Sequence, residues 1–171
     1  MKIGIFHGYE LSGSGSNQAT QYLARALARA GHDVHVLCRE PHPASIDFLD
    51  KAIQWDNLGQ CEILFEKEKN KKGTCTLHQL PLPPVNAVYI TDTQRPGIVK
   101  AFSELTDKEL KEYHRFVVNS LKSVLIAHPV DILHNNHLVY QPVAAAEVCE
   151  ELRIPVSEQV VMPSNRKDVE S

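Results

Sequence analysis

Two short segments of this sequence bring together the residue types that do chemistry. The first is His7-Gly8-Tyr9-Glu10-Leu11-Ser12-Gly13-Ser14-Gly15-Ser16-Asn17. Its small residues let backbone N–H groups approach an anion closely, and a helix starting just after it would add the partial positive charge of its N-terminus. Gly13, Ser14, Gly15, Ser16 and Asn17 are thus candidates for a phosphate-facing loop, with His7 and Tyr9 as candidate sugar contacts. The spacing is not G-x-G-x-x-G and Gly-Lys-Ser/Thr is absent, which argues against a nicotinamide cofactor and against a P-loop. A merely flexible connection is the competing reading of the same residues.

The second segment is His134-Asn135-Asn136-His137. Two histidines three apart have a metal-ligand spacing, but the nearby carboxylate, Asp131, sits at the other end of the expected strand and on its opposite face. No metal is expected here. Asn135, Asn136 and His137 are candidates for hydrogen bonds to sugar hydroxyls, with turn residues capping the next helix as the alternative. His32, His35, His42, His78, His114 and His128 are expected to be structural or exposed, and neither a Ser-His-Asp order nor H-E-x-x-H is present. No catalytic residue can be named. Cys38, Cys61, Cys75 and Cys149 form no CxxC pair and lie in apolar segments, so buried free thiols are expected.

The elements that must position these segments follow from periodicity. Lys2–Phe6 is a short β-friendly run. Ala19, Tyr22, Leu23, Ala26, Leu27 and Ala30 then recur at helical spacing from Ser16, and Gly31 stops the helix. Asp33–Cys38 alternates as a second strand, completing a βαβ unit with a right-handed, parallel crossover. Ile46, Phe48, Leu49, Ala52 and Ile53 suggest a helix ending near Trp55. Cys61–Glu66 and Thr74–Leu80 read as the two arms of an antiparallel hairpin outside the parallel ladder, with the polar segment Lys67–Lys72 as its solvated tip. That register would set Cys61 opposite Gln79 and disfavour a disulfide to Cys75. Ala87–Thr91 suggests a further strand.

Thr106-Asp107-Lys108-Glu109 has the form of a capping box, so a helix should start there and run to His128-Pro129. Asp131–His134 reads as a buried strand and Tyr140–Leu152 as a helix, with Pro142 tolerated in its first turn. Strands alternating with helices imply an α/β, Rossmann-like doubly wound parallel sheet with an inserted antiparallel β-hairpin. In such sheets ligands bind at the carboxyl ends of the strands, where both chemistry-bearing segments fall.

Composition agrees with a single domain of 171 residues, 43% hydrophobic and 23% charged. Eighteen Lys and Arg against 21 Asp and Glu give a net charge of −3, so there is no basic surplus for nucleic acid. The start MKIGIFHGYE is too short an apolar run for a signal peptide and no stretch is long enough to span a membrane, so a cytoplasmic address is the expectation.

At these same residues the chain resembles a known family. KIGIFHGYELSGSGSNQATQYLARALARAGHDVHVLCREP is similar to the first βαβ unit of retaining GT-B glycosyltransferases of the family 4 type. YHRFVVNSLKSVLIAHPVDILHNNHLVYQPVAAAEVCEELRIP is similar to that family's later helix, D-[IV]-[LV]-H strand and following helix. The resemblance spans about residues 1–155 and is specific in the first 40. It implies an amino-terminal, acceptor-side lobe whose loop Gly13–Asn17 faces the diphosphate of a nucleotide sugar, the co-substrate of the complete enzyme, with no tightly bound cofactor.

Two departures qualify the match. After Ile154-Pro155 the family continues with an apolar strand ending in His-Gly, whereas here the polar Ser157-Glu158-Gln159 follows, so residues 156–171 are expected to form an irregular tail. The chain also stops at Ser171, without the lobe that holds the nucleotide sugar. The expectation is a lobe that transfers a hexosyl group to a hydroxyl acceptor when complete and is inactive alone, partnering a separate carboxy-terminal lobe or itself. The alternative is a non-catalytic sugar-binding or protein-interaction domain. A nucleotide-dependent oxidoreductase is a third reading, with Glu40 as a ribose-binding acid.

Overall fold

A computed structural model describes residues 1–13, 15–68, 72–89, 95–137 and 140–158. The first βαβ unit is as the sequence predicts: β1 (Lys2–Phe6), α1 (Ser16–Arg29) and β2 (Asp33–Cys38), with β1 and β2 parallel. Gly31 ends α1 with φ 96°, and the paired bonds His32 N–H to Leu27 C=O and Gly31 N–H to Ala28 C=O satisfy the orphan carbonyls of the last turn.

The segment after β2 departs from expectation. In place of a helix over residues 46–55, Pro43–Ser45 makes a single 3-10 turn and Lys51–Trp55 is a strand, β3. The apparent helical spacing of Ile46, Leu49 and Ile53 arises because a turn and a strand both drop apolar side chains into the core. The antiparallel hairpin is β3 with β4 (Cys61–Glu66), not Cys61–Glu66 with Thr74–Leu80. Asp56 builds its turn, its Oδ1 accepting from the N–H groups of Leu58 at 2.9 Å and Gln60 at 2.8 Å, and Gly59 adopts φ 79°. Cys61 therefore faces Trp55 rather than Gln79, and it is exposed while Cys38, Cys75 and Cys149 are buried.

Strand β5 (Thr74–Gln79) enters the main ladder, parallel to both β2 and β3. It is buried along most of its length, which suits a central strand and not a hairpin arm open to solvent. Of the expected tip Lys67–Lys72, residues 69–71 lie outside the described residues. A small separate sheet pairs β6 (Asn86–Val88) with β7 (Val99–Ala101). Then come α2 (Asp107–Ala127), β8 (Ile132–Asn135), α3 (Gln141–Leu152) and β9 (Val156–Glu158). The capping box is formed, with Glu109 N–H donating to Thr106 Oγ1 and Thr106 N–H to Glu109 Oε2.

The sheet order is β4-β3-β5-β2-β1-β8-β9, parallel throughout except at the β3–β4 hairpin. Residues 156–158 thus correct the expectation of an irregular tail: β9 lies along the edge of β8, and Ser157 Oγ meets His134 Nδ1 at 3.0 Å. An edge strand has one side open to water, so polar residues there escape the burial cost that the sequence seemed to impose. Residues 159–171 lie outside the described residues.

Helix α1 covers one face of the sheet over Ile5, Val34, Val36, Cys38, Cys75 and Leu77. Helices α2 and α3 cover the other over Phe6, Leu37, Trp55, Leu80 and Leu133. Among the described residues, no helix is long and apolar enough to cross a membrane.

Candidate functional site

The carboxyl ends of β1 and β8 are adjacent, so the two segments singled out in the sequence meet there. His7 follows β1 and is fully buried. Its Nε2 lies 3.1 Å from the Glu10 carbonyl and 3.0 Å from Asn17 Oδ1, both acceptors, so Nε2 carries the proton. Its Nδ1 lies 2.9 Å from Thr20 Oγ1 and 3.4 Å from Asn136 Nδ2. Burial, reinforced by repulsion from His137, lowers its pKa to about 4, so His7 is a neutral ring with both nitrogens occupied internally. It positions the loop and has no hydrogen bond left for a sugar.

Asn136 and Asn17 have the same internal role. Asn136 Nδ2 donates to Thr20 Oγ1 and to the Ser16 carbonyl, and Asn17 Nδ2 donates to the Ser12 carbonyl at 2.6 Å. The His7-Thr20-Asn136 triangle therefore ties β1, the start of α1 and the end of β8 into one rigid corner. Other candidates retain free valences. His137 Nε2 is buried without a partner among the described residues, and its ring stands 4.6 Å from His7 and 5.1 Å, edge-on, from Tyr9. Asn135 donates to the His137 carbonyl at 2.7 Å but leaves its Oδ1 unpartnered. Burial, with Arg95 nearby, keeps His137 below the ordinary histidine pKa, so its ring too is neutral near pH 7.

The loop is held by a residue whose structural role the sequence did not suggest. Glu40 is fully buried, and its Oε2 accepts from Leu11 N–H at 2.9 Å, Ser12 N–H at 2.8 Å and Ser12 Oγ at 2.6 Å, while Oε1 accepts from His42 N–H at 3.0 Å. Burial opposes its ionisation, but these bonds from Ser12, His42 and Leu11 together outweigh it and hold the carboxyl below its ordinary pKa. Glu40 is a clamp on the loop, not a ribose ligand, which removes the feature that favoured an oxidoreductase. Gly13 (φ 122°) and Gly15 (φ 64°, N-cap of α1) supply the left-handed turns that follow; Ser14 lies outside the described residues. The first turn of α1 carries no acidic residue, so its positive end is uncompensated beside this loop.

Gly8, Tyr9, Arg39, Arg95 and Gln141 complete the rim. Gly8 (φ 75°) passes so close to Gln141 that a Cβ would lie 2.1 Å from its Nε2. Tyr9 donates to the Ala87 carbonyl at 3.2 Å, and the Arg95 guanidinium sits 4.9 Å from its ring centre. Arg95 Nη1 also contacts Glu10 Oε2 at 3.3 Å. Burial raises the Tyr9 pKa, opposed by the charges of Arg39 and Arg95, so the phenol stays protonated. Arg39, Arg95 and Gln141 carried no local sequence signal, because they reach the site from the ends of other elements.

A second histidine cluster lies away from this site. His35, His78 and His128, expected as separate residues, place one nitrogen each within 4.8 Å of one another. Trp55 Nε1–H donates to His78 Nδ1 at 3.1 Å, so His78 carries its proton on Nε2 and gives it to His35 Nδ1 at 2.9 Å. A metal on His78 Nε2 would need the proton moved to Nδ1, facing the indole N–H. The donor set therefore fits a neutral hydrogen-bonded chain and not a metal centre.

The geometry is that of a Rossmann-like lobe with a clamped glycine loop at its topological switch point. Two crystal structures of the C-terminal domain of a hydrogenase from Pyrococcus furiosus align with 93% and 92% of this chain and 91% and 90% of theirs. Identities are 13% and 16%, and TM-scores are 0.47 for both, too distant to bear on function. No curated protein matches the sequence. Residues 14–162 match the family model described as a glycosyl transferase 4-like domain. That span takes in the site-forming elements from the start of α1 to β9, and the chain accordingly belongs to the glycosyl transferase 4-like domain family.

Proposed function

We propose that the chain is the amino-terminal, acceptor-side lobe of a retaining, nucleotide-sugar-dependent glycosyltransferase that transfers a hexosyl group to a hydroxyl acceptor. The observation that carries this reading is the clamp of Leu11 and Ser12 by Glu40 and Asn17 just ahead of the N-terminus of α1, whose first turn carries no acidic residue. With the Leu11 and Ser12 amides spent on Glu40, the first amides of α1 after Gly15 are the donors positioned for a departing diphosphate. His137, neutral and with a free Nε2, and Asn135, with a free Oδ1, are the groups suited to align an acceptor hydroxyl. His7, Thr20 and Asn136 keep that wall rigid and contribute through position.

One lobe cannot enclose a charge that develops between two, so the chain alone is expected to show no turnover. The test is glycosyl transfer from a panel of nucleotide sugars to hydroxyl acceptors, with the chain alone and with a separately supplied donor-binding lobe. Transfer only in the mixture, with the anomeric configuration kept in the product, supports the proposal. Robust transfer by the chain alone overturns the two-lobe account. Saturable sugar binding without transfer in any pairing favours the non-catalytic binding domain.

A further inference from the structure

The rim of the site holds a cation that the fold leaves unpaired. Arg39, just past β2, is 8% exposed, and its Nε and Nη1 are buried with no hydrogen-bond partner among the described residues. It makes no ion pair among the described residues, and its neighbour Glu40 has both carboxylate oxygens committed to Leu11, Ser12 and His42. Two guanidinium nitrogens taken out of water without acceptors are costly. Arg95 stands beside the same residue: Arg39 N–H donates to the Tyr9 carbonyl at 2.9 Å, and the Arg95 guanidinium lies over the Tyr9 ring. Its Nε is likewise buried without a partner, and Glu10 is its one carboxylate contact among the described residues. Glu10 and Glu40 balance the two arginines in charge, so what the packing leaves open is the set of unsatisfied N–H groups on Arg39 and Arg95.

We infer that Arg39, assisted by Arg95 beside Tyr9, is a subsite for an oxyanion, and that the acceptor of this lobe therefore carries a phosphate or carboxylate besides its hydroxyl. Nε–H and Nη1–H of Arg39 point to different sides of the guanidinium, and each is a charge-assisted donor that an oxyanion oxygen satisfies. Tyr9 links the subsite to the reacting end, because its ring touches His137, the residue with the free Nε2. An acceptor bridging Arg39 and His137 would be fixed at its anionic and hydroxyl ends at once. The assignment of the anion to the acceptor rests on the glycosyltransferase reading; the oxyanion subsite itself does not.

The test is titration of the chain with inorganic phosphate, a hexose 6-phosphate, a hexuronate, the neutral hexose and a nucleoside diphosphate, followed by calorimetry. We expect the hexose 6-phosphate or the hexuronate to bind at least about tenfold more tightly than the neutral hexose, and Arg39→Gln to lose about tenfold of that preference. Arg39→Lys should recover only part of it. Arg25→Gln, in a cleft with Arg29, Asp47 and Lys72 away from the loop, should leave binding unchanged. Removal of an unpaired buried charge should leave the Tm of Arg39→Gln equal to or above that of the native chain, whereas a structural arginine would lower it. Should that variant not fold, Arg39→Lys and Arg95→Gln carry the same comparison.

Equal affinity for charged and neutral hexoses, or an unchanged preference in the Arg39 variants, overturns the inference. Preference for the nucleoside diphosphate over both charged hexoses, lost in Arg39→Gln, moves the subsite to the donor and overturns the acceptor assignment. Arg39-dependent oxyanion binding without transfer in any lobe pairing would defeat the glycosyltransferase reading and leave the subsite standing.

Discussion

Acidification should destabilise this fold through histidines that it buries neutral, and His35 gives the cleanest case. Burial, with repulsion from His128, lowers its pKa from 6.5 to about 4; Lys2 pushes the same way and Asp33 opposes. In the unfolded chain the ring takes up a proton near 6.5, so between that pH and about 4 the unfolded state holds more protons. Stability is therefore fully present above pH 6.5 and lost as the pH falls toward about 4. At 1.36 kcal/mol per pH unit the drop corresponds to about 3 kcal/mol. That is a large share of the roughly 5–15 kcal/mol that holds a typical domain together. Protonation of His35 at Nδ1 would also turn the acceptor of the His78 bond into a second donor. The perturbation is His35→Gln, whose amide oxygen can still accept from His78 but does not titrate. Urea unfolding followed by far-UV circular dichroism at pH values from 8 to 4 should show a shallower loss of stability in the variant, by about 3 kcal/mol near pH 4. At pH 8 the variant should differ from the native chain by about 1 kcal/mol or less. Identical pH dependences in the two proteins, or a native stability that is flat from pH 7 to 4, would refute the reasoning.

The clamp, the tight approach and the cap make further predictions. Glu40→Gln exchanges a carboxylate that accepts four hydrogen bonds for an amide that can match only part of them; it should cost about 2 kcal/mol in urea unfolding and speed hydrogen exchange at Leu11 and Ser12. Gly8→Ala places a Cβ 2.1 Å from Gln141 Nε2 at a residue with φ 75°; it should cost more than about 2 kcal/mol, and adding Gln141→Ala should recover only the steric part. Thr106→Ala breaks the capping box of α2 and should lower stability by about 1 kcal/mol, with no effect on ligand binding. Gly15 has φ 64° with open space around its Cβ position, so Gly15→Asn should be tolerated better than Gly15→Val in thermal melts, the β-branched residue being strained there regardless of any ligand.

Much of this fold is written in short-range pattern. The run Lys2–Phe6, the helix from Ser16 stopped by Gly31, the alternation Asp33–Cys38 and the Thr106–Glu109 box each depend on residues within a few positions of one another, and each element stands where the pattern places it. Strand pairing is different, because it is decided between residues far apart. Cys61–Glu66 and Thr74–Gln79 look like neighbours joined by a polar turn, yet the buried position beside β2 claims Thr74–Gln79, and Cys61–Glu66 folds back on Lys51–Trp55. Val156–Glu158 likewise looked too polar for a strand until it paired along the edge of β8, where Ser157 Oγ meets His134 Nδ1. The site divides in the same way. The loop from His7 to Asn17 and the segment from His134 to His137 were legible because their composition is unusual. Which of their atoms are already spent, as on His7 and Asn136, and which remain free, as on His137 and Asn135, depended on partners more than a hundred residues away. The sequence by itself determined the local elements and the two chemistry-bearing segments. Only the tertiary structure turned Glu40 into a clamp, left Arg39 unpaired and joined His35, His78 and His128, because burial and hydrogen-bond saturation are properties of the assembled sheet and not of any window of the chain.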